Sequence, residues 1–148
     1  MPSQEDSFPD QQLGTFQTLV DIVARLRAPG GCPWDREQTH YSLKRHILEE
    51  SYEVIEAIDQ GDPDRLSEEL GDLLVQIAFH ADIAAEAGDF HLEEILRKIN
   101  NKLVRRHPHV FSDGQAKNAR EVERNWEQIK AEERKEKGEI KSPVQGIP

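Results

Sequence analysis

The amino-acid sequence predicts an all-α fold, and three observations support this prediction. Apolar residues recur at helical spacing through most of the chain, and no stretch shows the strict alternation typical of strands. Glycine or proline separates the helical segments, and the connections are short. Neighbouring helices are therefore expected to run antiparallel, as a four-helix-bundle-like domain with an extra C-terminal helix.

Turn residues set the expected ends of five helices. Pro29 ends the first, and a loop over 32–35 follows it. Thr39 or Ser42 is expected to cap the second, Pro63 begins the third and Gly88 ends it. The predicted helices span 13–28, about 39–59, 63–87, 90–106 and 119–137. They form one domain over residues 13–137, between a flexible tail at 1–12 and an irregular tail at 138–148.

Charge and composition exclude several classes of protein. The 148 residues include 29 acidic and 19 basic side chains, a net charge of −10, which argues against a protein that coats nucleic acid. No apolar run approaches the roughly 20 residues of a membrane span, and the N-terminal sequence does not resemble a signal peptide. Cys32 is the single cysteine, so no internal disulfide can form. We therefore expect a cytoplasmic protein with no membrane partner.

Four carboxylates on the second and third predicted helices suggest a cation site. Glu50 falls within the apolar stripe of its helix, with Glu53 about 60° away by helical geometry. Glu69 and Asp72, three residues apart, share a face of the next helix. Buried carboxylates are costly unless they are paired or bind a cation, and all-oxygen ligation suits Mg²⁺ or Mn²⁺. Pairing with Arg or Lys would give the same pattern.

Basic and aromatic residues suggest how a phosphorylated ligand could be held. Lys102 and Arg106 flank the apolar stripe of the fourth helix, where they could neutralise a polyphosphate or simply pair with the acids. Trp34 lies in the predicted loop, and Trp126 lies one turn before Lys130. Either tryptophan could stack on a nucleobase, although packing is the commoner role of such a residue.

Five segments together resemble one known family. They read CPWD at 32–35, EESYE at 49–53, ELGD at 69–72, KLVRRHPHVF at 102–111 and WEQIKAEE at 126–133. In this order, they resemble the MazG nucleoside triphosphate pyrophosphohydrolases over about residues 13–137. The resemblance implies a helical domain that dimerises and cleaves a nucleoside triphosphate to the monophosphate and pyrophosphate with Mg²⁺. Well-known members carry two such domains in tandem, whereas this chain contains one.

The resemblance also implies roles for individual residues. The metal ligands would be the acids selected above: Glu50, Glu53, Glu69 and Asp72. The predicted catalytic residues are Glu49, which would orient a metal or water, with Glu53, Lys102 and Arg106. The predicted substrate-binding residues are Trp34, Arg65, Glu68, Lys102, Arg106, Trp126 and Lys130.

Two other interpretations also fit the sequence. A related dUTP or phosphoribosyl-ATP pyrophosphohydrolase would need a similar pair of acidic helices, although the segments at 32–35 and 105–111 argue against both. A non-catalytic helical interaction module would instead pair its acids with Lys and Arg. That module would require a cationic neighbour for Glu50.

Overall fold

Helices account for nearly all the regular structure in residues 8–138, the part of the chain that this computed structural model describes. Within that range there are seven α-helices and no strand, which confirms the predicted all-α class. They are α1 (Phe16–Arg27), α2 (Pro33–Glu37), α3 (Lys44–Gln60), α4 (Pro63–Ala87), α5 (Leu92–Arg106), α6 (Pro108–Phe111) and α7 (Ala119–Lys137).

The two longest helices begin and end at residues whose chemistry explains the boundary. The Asp62 carboxylate accepts a hydrogen bond from the Arg65 N–H at 3.2 Å and caps α4, with Pro63 in its first turn. Asn118 caps α7 in the same way. Gly88 and Gly138 end these helices at φ 78° and 63°, a region that favours glycine. The predicted spans of α4 and α7 are therefore confirmed.

Two stretches of the chain correct the predicted helix boundaries. Residues 33–35 of the expected loop belong to α2, whose five residues are too few to show a helical period. The second predicted helix begins at Lys44 instead of about residue 39. Thr39 and Ser42 close a turn before it, since each backbone N–H donates to the other's hydroxyl, at 2.8 and 3.1 Å. Neither residue caps α3.

The described chain divides into two compact units, the first ending at Glu94 and the second beginning at Ile95. In the first unit, α4 packs against both α1 and α3, which agrees with the apolar residues around most of its circumference. Val23, Leu43, Ala78 and Phe79 form the buried centre of this unit.

The predicted tails fall largely outside the described residues. Positions 1–7 and 139–148 are not described, and Asp10–Gln12 form a short 3₁₀ turn. Within residues 8–138, none of the helices has the length and apolar character needed to span a membrane.

Candidate active site

The α3–α4 hairpin brings the predicted acidic residues together. The two helices are joined at Gly61, whose left-handed backbone (φ 64°) ends α3, and Asp62 immediately caps α4. Because the chain reverses here, one strip of α3 faces one strip of α4 along the hairpin. Carboxylates that are distant in sequence thus become neighbours.

Three carboxylates form a compact cluster on this hairpin. One oxygen each from Glu50, Glu69 and Asp72 lies within 4.8 Å of the other two. Glu50 Oε2 is buried and has no hydrogen-bond partner among the described residues. Burial, followed by the charges of Asp72, Glu69, Glu53 and Glu49, raises the pKa of Glu50. The cluster therefore concentrates negative charge that its own residues do not neutralise.

This arrangement fits a divalent cation. An orphaned buried carboxylate oxygen requires a partner, and the neighbouring oxygens are the hard ligands that Mg²⁺ and Mn²⁺ prefer. The three acids offer no nitrogen or sulfur donor, which disfavours zinc. Glu50, Glu69 and Asp72 are thus the residues that would hold the ion.

Glu53, the fourth predicted ligand, is engaged by Arg65 instead. The Arg65 guanidinium lies 2.6 Å from the Glu53 carboxylate, 3.5 Å from that of Glu56 and 3.6 Å from that of Glu69. Arg65 thus borders the cluster, and its contact with Glu69 links it directly to a candidate ligand. A rotation of Glu53 away from Arg65 would be needed for it to join the other acids.

Two further acids of the predicted site lie on exposed surface. Glu49 approaches His46 at 3.8 Å, one turn earlier on α3. Glu68 is exposed on α4, next to Glu69 in sequence. Neither belongs to the three-carboxylate cluster among the described residues.

In the second unit, one carboxylate holds two arginines of the RRHPHVF segment. Glu133 on α7 accepts hydrogen bonds from Arg105 Nε at 2.5 Å and from Arg106 Nη2 at 3.0 Å. The bond from Arg105, reinforced by Arg106 and opposed by burial, lowers the pKa of Glu133 to about 2. Arg106 Nε is buried without a hydrogen-bond partner among residues 8–138. The Nε–H of Arg106 is therefore available to donate a hydrogen bond to a ligand.

The remaining predicted cations of this unit surround Trp126. Lys130 Nζ lies 4.9 Å and the Arg106 guanidinium 5.8 Å from the centre of the Trp126 ring, within the range of cation–π attraction. Lys102 lines a cavity of about 380 Å³ whose wall includes Arg105 and Glu133. Trp126, Lys130 and Arg106 are therefore grouped within this unit.

Trp34 lies on α2 and is held near α1 and α4 by a buried arginine. Arg27, only 4% exposed, pairs with Asp82 at 2.7 Å and Glu86 at 3.0 Å. Its Nε also donates to the Asp35 carbonyl at 3.2 Å. Sequence reasoning missed this anchor, because the carboxylates involved lie more than fifty residues further along the chain.

Two polar residues beside the cluster were not among the predicted site residues. His46 lies four residues before Glu50, and Gln76 lies four residues after Asp72. Both line a cavity with Trp34. Extending each acidic strip by one further helical turn would have found them.

The fold and the site together define a class of protein. It is an all-α protein with a candidate divalent-cation centre on a helical hairpin, and its chain also carries an arginine-rich segment. The family model described as the MazG nucleotide pyrophosphohydrolase domain matches residues 38–111, half of the chain. The chain therefore belongs to that family, which the sequence resemblance predicted.

Two relatives named for this activity agree with the assignment to the family. The chain is 52% identical over 122 residues to the nucleoside triphosphate pyrophosphohydrolase/pyrophosphatase MazG of Thermotoga maritima, covering 82% of this chain and 46% of that protein. It is 50% identical over 128 residues to the nucleoside triphosphate pyrophosphohydrolase of Escherichia coli K12, covering 86% and 49%. The chain thus spans about half the length of these relatives.

A solved structure supports the fold. The crystal structure of a mazG-related protein from Thermotoga maritima superposes with a TM-score of 0.66 at 28% identity. The match covers 78% of this chain and 98% of the other.

Proposed function

We propose that this protein hydrolyses nucleoside triphosphates to the monophosphate and pyrophosphate with Mg²⁺, which Mn²⁺ can replace. In this reaction water adds its oxygen to the α-phosphorus, the bond to the bridging oxygen breaks, and a proton is released. The single observation that carries the proposal is the orphaned Glu50 oxygen beside Glu69 and Asp72, in a chain of the MazG family. Relatives named for this activity support the reaction class.

The residues of the hairpin have separate tasks in this proposal. A divalent cation held by Glu50, Glu69 and Asp72 would neutralise phosphate charge and lower the pKa of an attacking water. Arg65 restrains Glu53 and Glu69, which fixes the orientation of the acidic strip. Glu49 and Glu68 flank these residues and complete the proposed substrate-facing surface.

In the second unit, we propose that Lys102, Arg106 and Lys130 bind phosphate charge. Arg106 has a buried Nε without a partner in the described chain, so a phosphate oxygen would satisfy it. Glu133 and Trp126 hold this guanidinium in place, and Lys102 and Lys130 add positive charge nearby. The nucleotide pool is cytoplasmic, so we propose that the protein acts there.

The alternative of a non-catalytic interaction module required a cationic partner for Glu50. Arg65 contacts Glu53, Glu56 and Glu69 instead. An unpaired buried carboxylate is difficult to explain in a structural module, and this favours a cation-binding enzyme.

We further propose that two copies of the chain associate through α3 and α4. Leu48, Tyr52 and Ile55 form an exposed stripe on α3, and Leu70, Leu74 and Ile77 form another on α4. Exposed apolar patches of this kind mark protein interfaces, and a two-fold axis would bring identical stripes together. In such a dimer, the apolar stripes of each copy would cover the same stripes of the other copy.

The direct test is pyrophosphate release from a panel of ribo-, deoxyribo- and damaged nucleoside triphosphates with Mg²⁺. The E50Q and E69Q variants should lose activity about 100-fold or more, since cation binding contributes several kcal/mol to transition-state stabilisation. D59N is the matched control, because Asp59 is an exposed acid on the same helix. Pyrophosphate release by E50Q and E69Q at the wild-type rate would refute the proposal.

A further inference from the structure

The two acidic strips lead directly into a small cavity. On α3 the strip runs from Glu50 back to His46 and Leu43, and on α4 it runs from Asp72 on to Gln76 and Phe79. These four non-acidic residues, with Trp34 and Val75, line a cavity of about 170 Å³. That volume is below the 300 Å³ or so of a pocket for a drug-sized molecule, so it suits one ring system.

One polar atom in this cavity has no partner. Gln76 Oε1 is buried without a hydrogen bond in the described chain. The walls beside it are apolar, with Leu43 4% and Phe79 7% exposed. Leaving a buried carbonyl unsatisfied costs about 1–3 kcal/mol, so a ligand N–H is the expected partner.

Trp34 offers a flat surface at the mouth of the cavity. Its side chain is 64% exposed, and His46 approaches the ring edge-on, with the centroids 6.5 Å apart and the planes at 87°. This geometry differs from that of Trp126, whose ring lies near Lys130 and Arg106. Trp34 is thus the better placed of the two tryptophans to stack on a planar ligand.

Hydrogen bonds hold the backbone at Trp34 and at the residue after it. Gln38 Nε2 donates to the Trp34 carbonyl at 3.1 Å, and Arg27 Nε donates to the next carbonyl, that of Asp35. Arg27 is itself anchored by two carboxylates of α4. A surface held in this way binds a ring with little loss of conformational entropy.

We propose that this cavity binds the nucleobase of the substrate. The ring stacks on Trp34, and Gln76 Oε1 accepts a hydrogen bond from a base N–H, which favours bases with an exocyclic amino group. Gln76 follows Asp72 by about one turn of α4, a rise of about 6 Å, so one nucleotide reaches from the cavity to the acidic cluster. This inference rests on the proposed function, because it assigns the base of the same substrate.

The test uses α,β-methylene-ATP with Mg²⁺, an analogue that is not cleaved at the α-phosphorus. The chain has two tryptophans, so W34F leaves Trp126 as the remaining fluorophore. Binding should quench the wild-type emission, and W34F should lose most of that quench. Calorimetry on the same proteins measures affinity independently of the fluorescence.

Gln76 is tested in the same assay. Q76L should weaken binding of the analogue about 5- to 10-fold while the quench at saturation remains, since one hydrogen bond is lost. Q76N, which withdraws the carbonyl but keeps it polar, provides a second variant if Q76L does not fold. Q17L is the control, because Gln17 is an exposed glutamine on α1 that bonds to Asp21.

Failure of this inference is distinguishable from failure of the proposed function. One outcome overturns the base assignment alone. In it the wild-type protein releases pyrophosphate, yet W34F shows the full fluorescence quench or Q76L and Q76N bind the analogue with full affinity. Calorimetric binding with no quench of the wild type overturns it equally. Absence of pyrophosphate release from every nucleotide overturns the proposed function, whatever the tryptophan emission shows.

Discussion

Glu50 is the residue where stability and the proposed function oppose each other. Its buried charge faces Glu69 and Asp72, and repulsion among these acids destabilises the folded chain when no cation is bound. Natural proteins often retain such locally unfavourable groups at functional sites. Removing this charge should therefore stabilise the protein while it weakens cation binding.

We expect E50Q to melt about 2–5 °C above the wild type in a chelating buffer. Mg²⁺ should raise the melting temperature of the wild type, because an ion that binds only the folded state stabilises it. It should have little effect on E50Q, which lacks one of the proposed ligands. Differential scanning fluorimetry with and without Mg²⁺ measures both effects, and D59N should behave like the wild type. An equal Mg²⁺ response in E50Q would argue against this cluster as the cation site.

Glu133 shows the reverse behaviour, since its charge is stabilised by two arginines. Its pKa in the folded protein is about 2, against an ordinary value of 4.5. A depressed pKa contributes stability that is complete above about pH 4.5 and disappears as the pH falls toward about 2. The ion pairs of this residue should therefore weaken only in acid.

E133Q tests this pH dependence. The variant should melt below the wild type at neutral pH, and the gap should narrow steadily between about pH 4.5 and about pH 2. E132Q, at an exposed neighbouring position on α7, should show little change at any pH. A gap of constant size across this range would mean that the loss does not come from the Glu133 charge.

At the scale of elements, the placement of α2 depends on a close approach at Gly31. A Cβ at this position would lie within 3.0 Å of backbone atoms of Arg25 and Leu26. The Cys32 N–H also donates to the Leu26 carbonyl at 2.8 Å, which folds the chain back onto α1. Any side chain at residue 31 would displace α2 and Trp34 with it.

G31A should therefore lower the free energy of unfolding by about 1–3 kcal/mol, the usual cost of overpacking. G14A is the matched control, because a Cβ at Gly14 meets nothing within 4 Å. Chemical denaturation of both variants measures the difference. Equal stability of G31A and the wild type would show that the backbone between α1 and α2 accommodates a Cβ at residue 31 without loss of stability.

The hairpin was more predictable than α2 for physical reasons. Asp62, Pro63 and Gly88 act locally, so the sequence of α4 reveals its own ends. Helical spacing likewise places Glu69 and Asp72 on one face. In contrast, α2 is too short to have a period, and its anchor Arg27 acts through distant carboxylates. Helical spacing also does not reveal that Glu53 pairs with Arg65. Whether Glu53 contacts Arg65 or the other acids depends on side-chain rotamers on two helices.

At the scale of the molecule, the apolar stripes on α3 and α4 predict self-association. The double variant I55E/L74E introduces one charge into each stripe, and like charges facing across a two-fold axis should disrupt the dimer. Sedimentation equilibrium should find a dimer for the wild type and a monomer for the variant. L13E is the control, since Leu13 is exposed (58%) but lies outside both stripes.

A wild-type protein that remains monomeric at the highest concentration studied would contradict the proposed interface. A dimer that survives in I55E/L74E would place the contact on another surface.

The single turn at Gly61 also has a consequence for folding kinetics. The candidate cation ligands, Arg65 and most of the cavity lie on one helical hairpin, between Leu43 and Phe79. Contacts between residues so close in sequence form with little loop-closure entropy and are typical of fast-folding helical proteins. The acidic strip should therefore take shape early during folding, whereas α2 and Trp34 join it only after α1 has docked.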